Sequence, residues 1–318
     1  MAGTGGRGAS IVSAVRLGPV HLDRFGDASV EFVDFARAST TDLAMLLRDA
    51  EGLLVNYHVA ADARLLACAP HLRALSTISV GFDHIDMGDA ARRGITVTHT
   101  PVLSDAVADL TLALILMAAR RLREAVDIVS AGGWDDALLG RDLRDKTLLV
   151  IGFGRIGQEV ARRALAFKMR VCAFDTRIDA ALPGVERVPT LLAGLQQADV
   201  ISLHVDLNPA TRHLLDDAAF ATMKPTAFVI NTSRGAVIDQ AALTRALSEH
   251  RIAGAGLDVL EREPPASEEP LLSMPNVVVL PHIGSATAET RAAMLDCAVE
   301  NLATCLRGET CPHALLPA

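Results

Sequence analysis

The 318 residues suffice for about two ordinary domains, each able to bury a core. Hydrophobic residues make up 50% but aromatics only 3%, so small aliphatic side chains must fill the interior, which suits helices packed on buried parallel strands. A formal net charge of -8 with no long basic run argues against nucleic acid as the main partner, but leaves room for a small anionic substrate that feels only its local pocket.

In chain order, residues 1–9 are Gly-rich and read as loose, and the apolar run after them is too short for a signal peptide. Ile11–Val15 reads as a first strand and Thr41–Asp49 as a helix. Gly52–Tyr57 is a buried strand running into a loop, Ala61–Cys68 is helical, and Arg73–Ser79 is again a strand. Asp86 is placed to cap a helix through Arg93 that Gly94 would end, and Ile95–His99 forms the next strand. Pro101 interrupts this series. Ser104–Val129 then predicts one long helix, apolar at its centre and mostly buried. Its core, Leu110–Ala119, is about half the length of a membrane span. A second series follows, with parallel strands expected at Leu148–Ile151, Arg170–Phe174, Val200–Leu203, Ala227–Asn231, Ala253–Leu257 and Val277–Leu280. Ala286–Leu306 is the final helix.

The cysteines Cys68, Cys172, Cys297, Cys305 and Cys311 form no C-x-x-C pair and are odd in number, which predicts reduced thiols in a cytoplasmic protein. No metal-ligand spacing is visible.

The strand ending at Ile151 runs straight into Gly152-Phe-Gly154-Arg-Ile-Gly157, and a helical pattern (Glu159–Ala166) follows at once. In that context G-x-G-x-x-G carries meaning: Gly152 allows a tight turn, Gly154 lets backbone amides approach a pyrophosphate, and Gly157 lets helix and strand pack closely. The helix N-terminus adds a positive field. Asp175 ends the next strand, placed to accept hydrogen bonds from an adenosine ribose and to repel a 2′-phosphate, so NAD is favoured. Arg177 stands two residues further and could hold such a phosphate, which keeps NADP in play.

Three later segments place unusual residues after strands: Phe228–Gly235 with Arg234, Gly254–Pro264 with Glu263, and Val279–Thr287 with His282. In a doubly wound sheet, loops at the carboxyl ends of strands form the ligand crevice. An Arg there can grip a carboxylate, a His can donate a proton near neutral pH, and a Glu can orient that imidazole and stabilise its cation. Singly, each has an ordinary reading: a surface cation, a satisfied imidazole, a solvated acid in the stretch Glu261–Glu269. Shared position behind a nucleotide fingerprint makes them a catalytic group. Elsewhere, His204 reads as packing near the adenine side, and Asn56, Tyr57 and His58 could face the substrate. His71 and His84 read as loop residues and Arg120–Arg123 as a solvated helix end.

With these motifs in view, the sequence resembles the D-2-hydroxyacid dehydrogenases over about residues 50–310, through Thr77–His84, Gly152–Gly157, Asn231–Gly235, Gly256–Pro264 and Leu280–Thr287. Pro270–Asn276 and Pro281–Thr287 look most like glyoxylate/hydroxypyruvate reductases and 2-ketogluconate reductases. The resemblance implies two doubly wound α/β domains, a Rossmann-type cofactor domain (100–284) inserted into a flavodoxin-like substrate domain (1–99 and 285–318). It implies reduction of glyoxylate, hydroxypyruvate or 2-ketogluconate to the D-2-hydroxy acid by hydride from a nicotinamide cofactor. It assigns the substrate carboxylate to the backbone of Val80 and Gly81 beside Arg234, and places Ser285 and His282 near the substrate. Asp258 would hold the nicotinamide carboxamide, and Arg155, Ile156 and Thr232 join the glycines and Asp175 around the cofactor. It further implies a homodimer, with the long helix after Pro101 in the dimer region. Two departures stand out. The Pro101–Asp109 loop is one residue shorter than the family pattern, and Ala137 occupies a position where mammalian hydroxypyruvate reductases carry a second Trp. Dinucleotide-sensing binding proteins of the C-terminal binding protein type share the framework, as do phosphite and formate dehydrogenases.

Overall fold

The computed structural model describes residues 9–102, 104–176 and 182–315, and among them short apolar runs assort into two sheets. In chain order the strands are β1 (Ser10–Ser13), β2 (Ser29–Phe32), β3 (Gly52–Val55), β4 (Ala74–Thr77) and β5 (Thr96–Thr98). There follow β6 (Thr147–Ile151), β7 (Arg170–Phe174), β8 (Val185–Arg187), β9 (Val200–Leu203), β10 (Phe228–Asn231), β11 (Gly254–Leu257), β12 (Val277–Val279) and β13 (Ala314–Leu315). The chain divides into two units, Met1–Leu103 with Thr287–Ala318, and Ser104–Ala286.

In the first unit the strand order is β13-β5-β4-β3-β1-β2. All pairings are parallel except that of β13, which runs antiparallel to β5 with Ala314 opposite Thr98. Without β13 this is the 2-1-3-4-5 order of flavodoxin-like sheets. β3 and β4 are buried at every position, as strands covered on both faces must be. The Ala288–Leu306 helix packs over them, where Gly52 leaves room: a Cβ there would lie 3.0 Å from a Leu306 methyl. Ser76 Oγ donates to Ala298 O at 2.9 Å across this buried contact. Sequence punctuation acts locally as expected. Asp86 caps the Met87–Arg92 helix by accepting from Asp89 N, and Gly94 leaves that helix with φ +70°.

The second unit is all parallel, in the order β12-β11-β10-β9-β6-β7-β8. Counted within the unit, its first six strands run 3-2-1-4-5-6, the doubly wound nucleotide-binding order. The order reverses between β6 and β9, so the loops after them diverge and open a crevice at the carboxyl edge. Small aliphatics fill both faces of this sheet: Leu149, Ile201, Val229 and Ala255 on one side, Leu148, Val150, Ile230 and Val278 on the other.

One expected element is divided. Ser104–Val129 is not a single helix but two, Ser104–Ala119 and Leu122–Ser130. Arg121 breaks the run in the left-handed region at φ +52° and turns its guanidinium onto Glu124 at 2.7 and 3.0 Å. The two halves differ in environment, which periodicity alone did not separate. The first buries eight residues, while the second buries none. Arg123 likewise departs from the solvated role expected of it. It donates to the carbonyls of Leu272, Met274 and Val277 at 2.9, 3.3 and 2.6 Å, closing the segment that leads into β12. The short strands β2, β8 and β13 were not foreseen. Residues 1–8, at the start of the stretch read as loose, and Arg177 lie outside the described residues.

Arg123→Ala should therefore lower stability by about 1.5 kcal/mol, the low end for charged hydrogen bonds, because 32% of the side chain is solvated. Urea unfolding monitors this, and a midpoint equal to the parent's would show that those carbonyls are satisfied without the guanidinium.

Candidate functional site

The glycine loop leaves β6 and starts the Arg155–Ala166 helix. Gly152 has φ +90°, and a Cβ on it would lie 2.4 Å from His204 O, so the turn passes directly against the backbone after β9. Gly157 carries the close packing: a Cβ there would sit 2.1 Å from Gly152 O. Gly154 differs, since a Cβ on it meets nothing within 4 Å. It is also the helix N-cap, with no side-chain cap hydrogen bond. An uncapped N-terminus with open space beside it fits a pyrophosphate, whose charge the helix dipole and N–H groups favour. Asp175 accepts from Phe153 N at 2.6 Å, so its carboxylate also fixes the loop. His204 donates its backbone N–H to Ile151 O at 2.7 Å, and its ring bonds Ser202 Oγ at 2.7 Å.

The loops after β10, β11 and β12 leave the same edge. Buried Asn231 ends β10 and shapes the turn: its amide donates to Arg234 O at 2.9 Å, and Oδ1 accepts from Ser233 N and Oγ at 3.0 and 2.9 Å. Thr232 Oγ1 meets Thr111 Oγ1 at 2.9 Å, tying this turn to the Ser104–Ala119 helix. Arg234 follows in extended backbone. Gly235 then lies flat on the next loop: a Cβ would fall 1.9 Å from Leu260 C and 2.3 Å from Glu261 N. No side chain fits there, so the arginine loop and the glutamate loop share a backbone-to-backbone contact.

Glu263 and His282 meet at that edge. His282 Nδ1 lies 2.7 Å from Glu263 Oε2, and Leu260 N donates to Glu263 Oε1 at 3.1 Å. Burial acts to raise the Glu263 carboxyl, but the His282 hydrogen bond and charge, the Leu260 N–H and the charge of Arg234 together hold it below its ordinary value. His282 itself has φ +56°, an uncommon conformation for a side-chain-bearing residue. Asp258 enforces it. His282 N donates to Asp258 O, and the carboxylate of Asp258, only 1% exposed, accepts from Ile283 N and Gly284 N at 2.8 Å each. Burial raises the Asp258 carboxyl against these two hydrogen bonds. Ser285 lies in the turn that follows.

In the first unit, Val80 and Gly81 follow β4 in an ordered loop. Val80 O bonds the His99 ring at 2.9 Å, and Gly81 O accepts from Ser79 Oγ at 2.7 Å. His84 braces this loop through Thr77 Oγ1 at 3.0 Å. Asn56 caps His58 N in the loop after β3, with the Tyr57 and His58 rings 4.0 Å apart. Sequence reasoning took Asn231–Gly235 only as a family motif, without the turn-forming role of Asn231 or the crowding at Gly235. An Asn ending an otherwise apolar strand, just before Arg-Gly, was the available signal. Among the described residues no group of His, Cys, Asp and Glu is arranged to hold a metal ion, and no helix is long and apolar enough to cross a membrane.

A nucleotide-binding strand–turn–helix with a cation and a carboxylate-held imidazole at the same sheet edge defines a class of site suited to hydride chemistry on a small acid. Residues 112–284 match the family model described as D-isomer specific 2-hydroxyacid dehydrogenase, NAD binding domain. A glyoxylate reductase of Thermofilum pendens is 43% identical over 284 residues, covering 86% of this chain and 84% of that protein. The crystal structure of an NADPH-dependent glyoxylate/hydroxypyruvate reductase from Sinorhizobium meliloti, with NADP and malonate, superposes with a TM-score of 0.86 at 31% identity, covering 98% and 97% of the two chains. D-lactate dehydrogenase from Aquifex aeolicus, with NAD and lactic acid, gives 0.85 at 31% identity, covering 94% and 96%. The chain belongs to the D-isomer specific 2-hydroxyacid dehydrogenase family.

Gly235→Ala should displace the Leu260–Glu261 peptide, destabilise the protein by roughly 3 kcal/mol, the upper end for overpacking, and abolish turnover. A melting curve and activity equal to the parent's would contradict the close contact.

Proposed function

We propose that this protein reduces a small 2-oxo acid to its D-2-hydroxy acid with a nicotinamide coenzyme. The observation that carries the reading is the Glu263–His282 hydrogen bond at the ligand edge of the nucleotide-binding sheet. When bound, the coenzyme supplies a hydride to C2 of the substrate. His282 then delivers the proton: with Nδ1 on Glu263, Nε2 is the ring atom that passes its hydrogen to the carbonyl oxygen, and the neutral ring regains a proton from solvent. Glu263 holds the imidazole in that orientation and stabilises its cation. Arg234 holds the substrate carboxylate, which its planar guanidinium can grip with two hydrogen bonds.

The other roles rest on the family resemblance. Val80 and Gly81 would offer backbone N–H groups to the carboxylate, and Ser285 would lie near the substrate. Thr232, Asp258, Arg155 and Ile156 would bind the cofactor with the glycines. For Asp258 the structure adds a separate task, since both its oxygens already hold the His282 loop. Asp175 supports NAD over NADP by the repulsion of a 2′-phosphate, although the relatives named above include one with NAD and one that is NADPH-dependent. The five free cysteines accord with a cytoplasmic setting.

A homodimer is supported by the Leu122–Ser130 helix, which buries no residue and exposes Leu122, Val126 and Val129 along one face. Trp134 and Leu139 are further exposed apolar side chains, at 86% and 79%. Light scattering should report a dimer, and Val126→Glu should convert it to a monomer. A parent protein already monomeric at micromolar concentration would overturn this.

The test of function is a panel of glyoxylate, hydroxypyruvate and 2-ketogluconate with NADH and NADPH. One of these acids should turn over, with NADH preferred. His282→Asn should then lower kcat by about 10²–10⁴-fold, the usual worth of a general acid. Arg234→Ala should cost roughly 1.5–3 kcal/mol in kcat/KM. Near-normal turnover in the His282 variant would sink the proton-donor assignment, and a strong NADPH preference would refute the reading of Asp175.

A further inference from the structure

The turn that presents Glu263 to His282 is only four residues long, Leu260–Glu263, and it is held from outside by residues not placed in the site so far. Glu261 N donates to Gln240 Oε1 at 2.9 Å, and Gln240 Nε2 donates to Glu269 Oε2 at 2.7 Å, so one amide side chain spans both ends of the acidic loop. The Glu261 carboxylate is bonded to His213 Nε2. His213 sits on the segment after β9, and its own backbone is fixed. It has φ +52°, its N–H donates to Ala236 O at 2.8 Å, and the segment continues with Leu215 N on Val237 O and Asp239 N on Leu215 O at 3.2 and 3.0 Å. Ala236 and Val237 directly follow Gly235, whose backbone lies against Leu260. Three strand-end segments, around 213, 236 and 261, are thus joined into one cross-braced edge.

A non-glycine residue in the left-handed region is uncommon and is retained where its surroundings enforce it. Here the conformation has a visible result: it turns the His213 ring toward the loop after β11 while its N–H remains on the loop after β10. The His213–Glu261 pair is partly solvated, at 38% and 31% side-chain exposure, so its contribution to global stability is small. Its geometry matters more, because Glu261 is two residues from Glu263 in a turn whose own closure is a single N–H to the Glu263 carboxylate.

We infer that His213, Glu261 and Gln240 are positioning residues that hold the Leu260–Glu263 turn so that Glu263 keeps its carboxylate on His282. This rests on the proton-donor role of His282 proposed above. Glu263 bonds the His282 ring and is carried on the braced turn, whereas Asp258 and Arg234 lie outside that turn. Loosening the turn therefore frees the carboxylate that holds the imidazole in place, and slows reduction without touching the coenzyme site.

The test sets kcat for reduction against KM for the coenzyme, measured on the full-length enzyme. His213→Asn removes the ring while Asn tolerates the left-handed backbone. It should lower kcat by about tenfold, less than the 10²-fold of a 1 Å misplacement, with KM for the coenzyme unchanged. Glu261→Ala should do the same, and Glu261→Gln, which keeps an oxygen for the His213 N–H, should restore most of the rate. Should His213→Asn fold poorly, the Ala and Gln pair at 261 decides alone. Glu263→Gln is measured beside them. If its kcat matches the parent's, the proton-transfer reading fails. If Glu263→Gln lowers kcat but His213→Asn and Glu261→Ala do not, the brace is disproved and the site stands without it.

Discussion

The close approach of Gly235 to the Leu260–Glu261 peptide sets the spacing on which the candidate site depends. Two loops that leave neighbouring strands would ordinarily be separated by side chains, at a distance free to vary with rotamers. Here backbone lies on backbone, which leaves little latitude. The arginine and the glutamate are thereby held at a separation set by peptide geometry, and β12 brings the histidine to the same edge through the ladder from Leu280 N on Leu257 O to His282 N on Asp258 O. The asymmetry of the three residues follows. Arg234 is placed by a turn built on Asn231, Glu263 by a turn closed on itself, and His282 by a buried carboxylate beneath it. Asn231, Leu260 N–H and Asp258 each orient one of these three residues.

The glycine loop obeys the same logic with the opposite outcome. At Gly152 and Gly157 the absence of a side chain lets protein meet protein, whereas at Gly154 it leaves space. Three glycines of one motif therefore have two different physical reasons. Only the middle one leaves room for a ligand, and the outer two build the turn that aims the helix N-terminus.

Much of this was legible in the sequence because the decisive residues are ones whose chemistry is poorly replaced. A glycine pattern between a strand and a helix, an acid ending the next strand, and Arg, Glu and His after three successive apolar runs all survive without knowledge of contacts. Buried strands were readable for a related reason, since a parallel strand covered on both faces leaves an unbroken aliphatic run. What escaped depended on partners distant in the chain. The break at Arg121 could not be seen, because both halves share the same period and differ only in what covers them. Arg123 looked like a surface cation until three carbonyls from residues 272–277 closed around it. β2 and β8 bury none of their residues, and β13 is two residues long, so each exists only because an edge is there to receive it.

The last of these strands bears on the order in which the chain can fold during synthesis. The second unit is contiguous, residues 104–286, and has all its strands once the ribosome passes β12. The first unit begins earlier but is finished later. The helix that covers β3 and β4 and the strand that pairs with β5 both come from residues after 287. While the intervening residues are translated, the opening strands must wait with the apolar face that Leu302 and Leu306 will occupy still exposed to water. The nascent chain is thus most vulnerable at β3 and β4, and a chaperone that shields it would act on these strands, not on the segment then emerging.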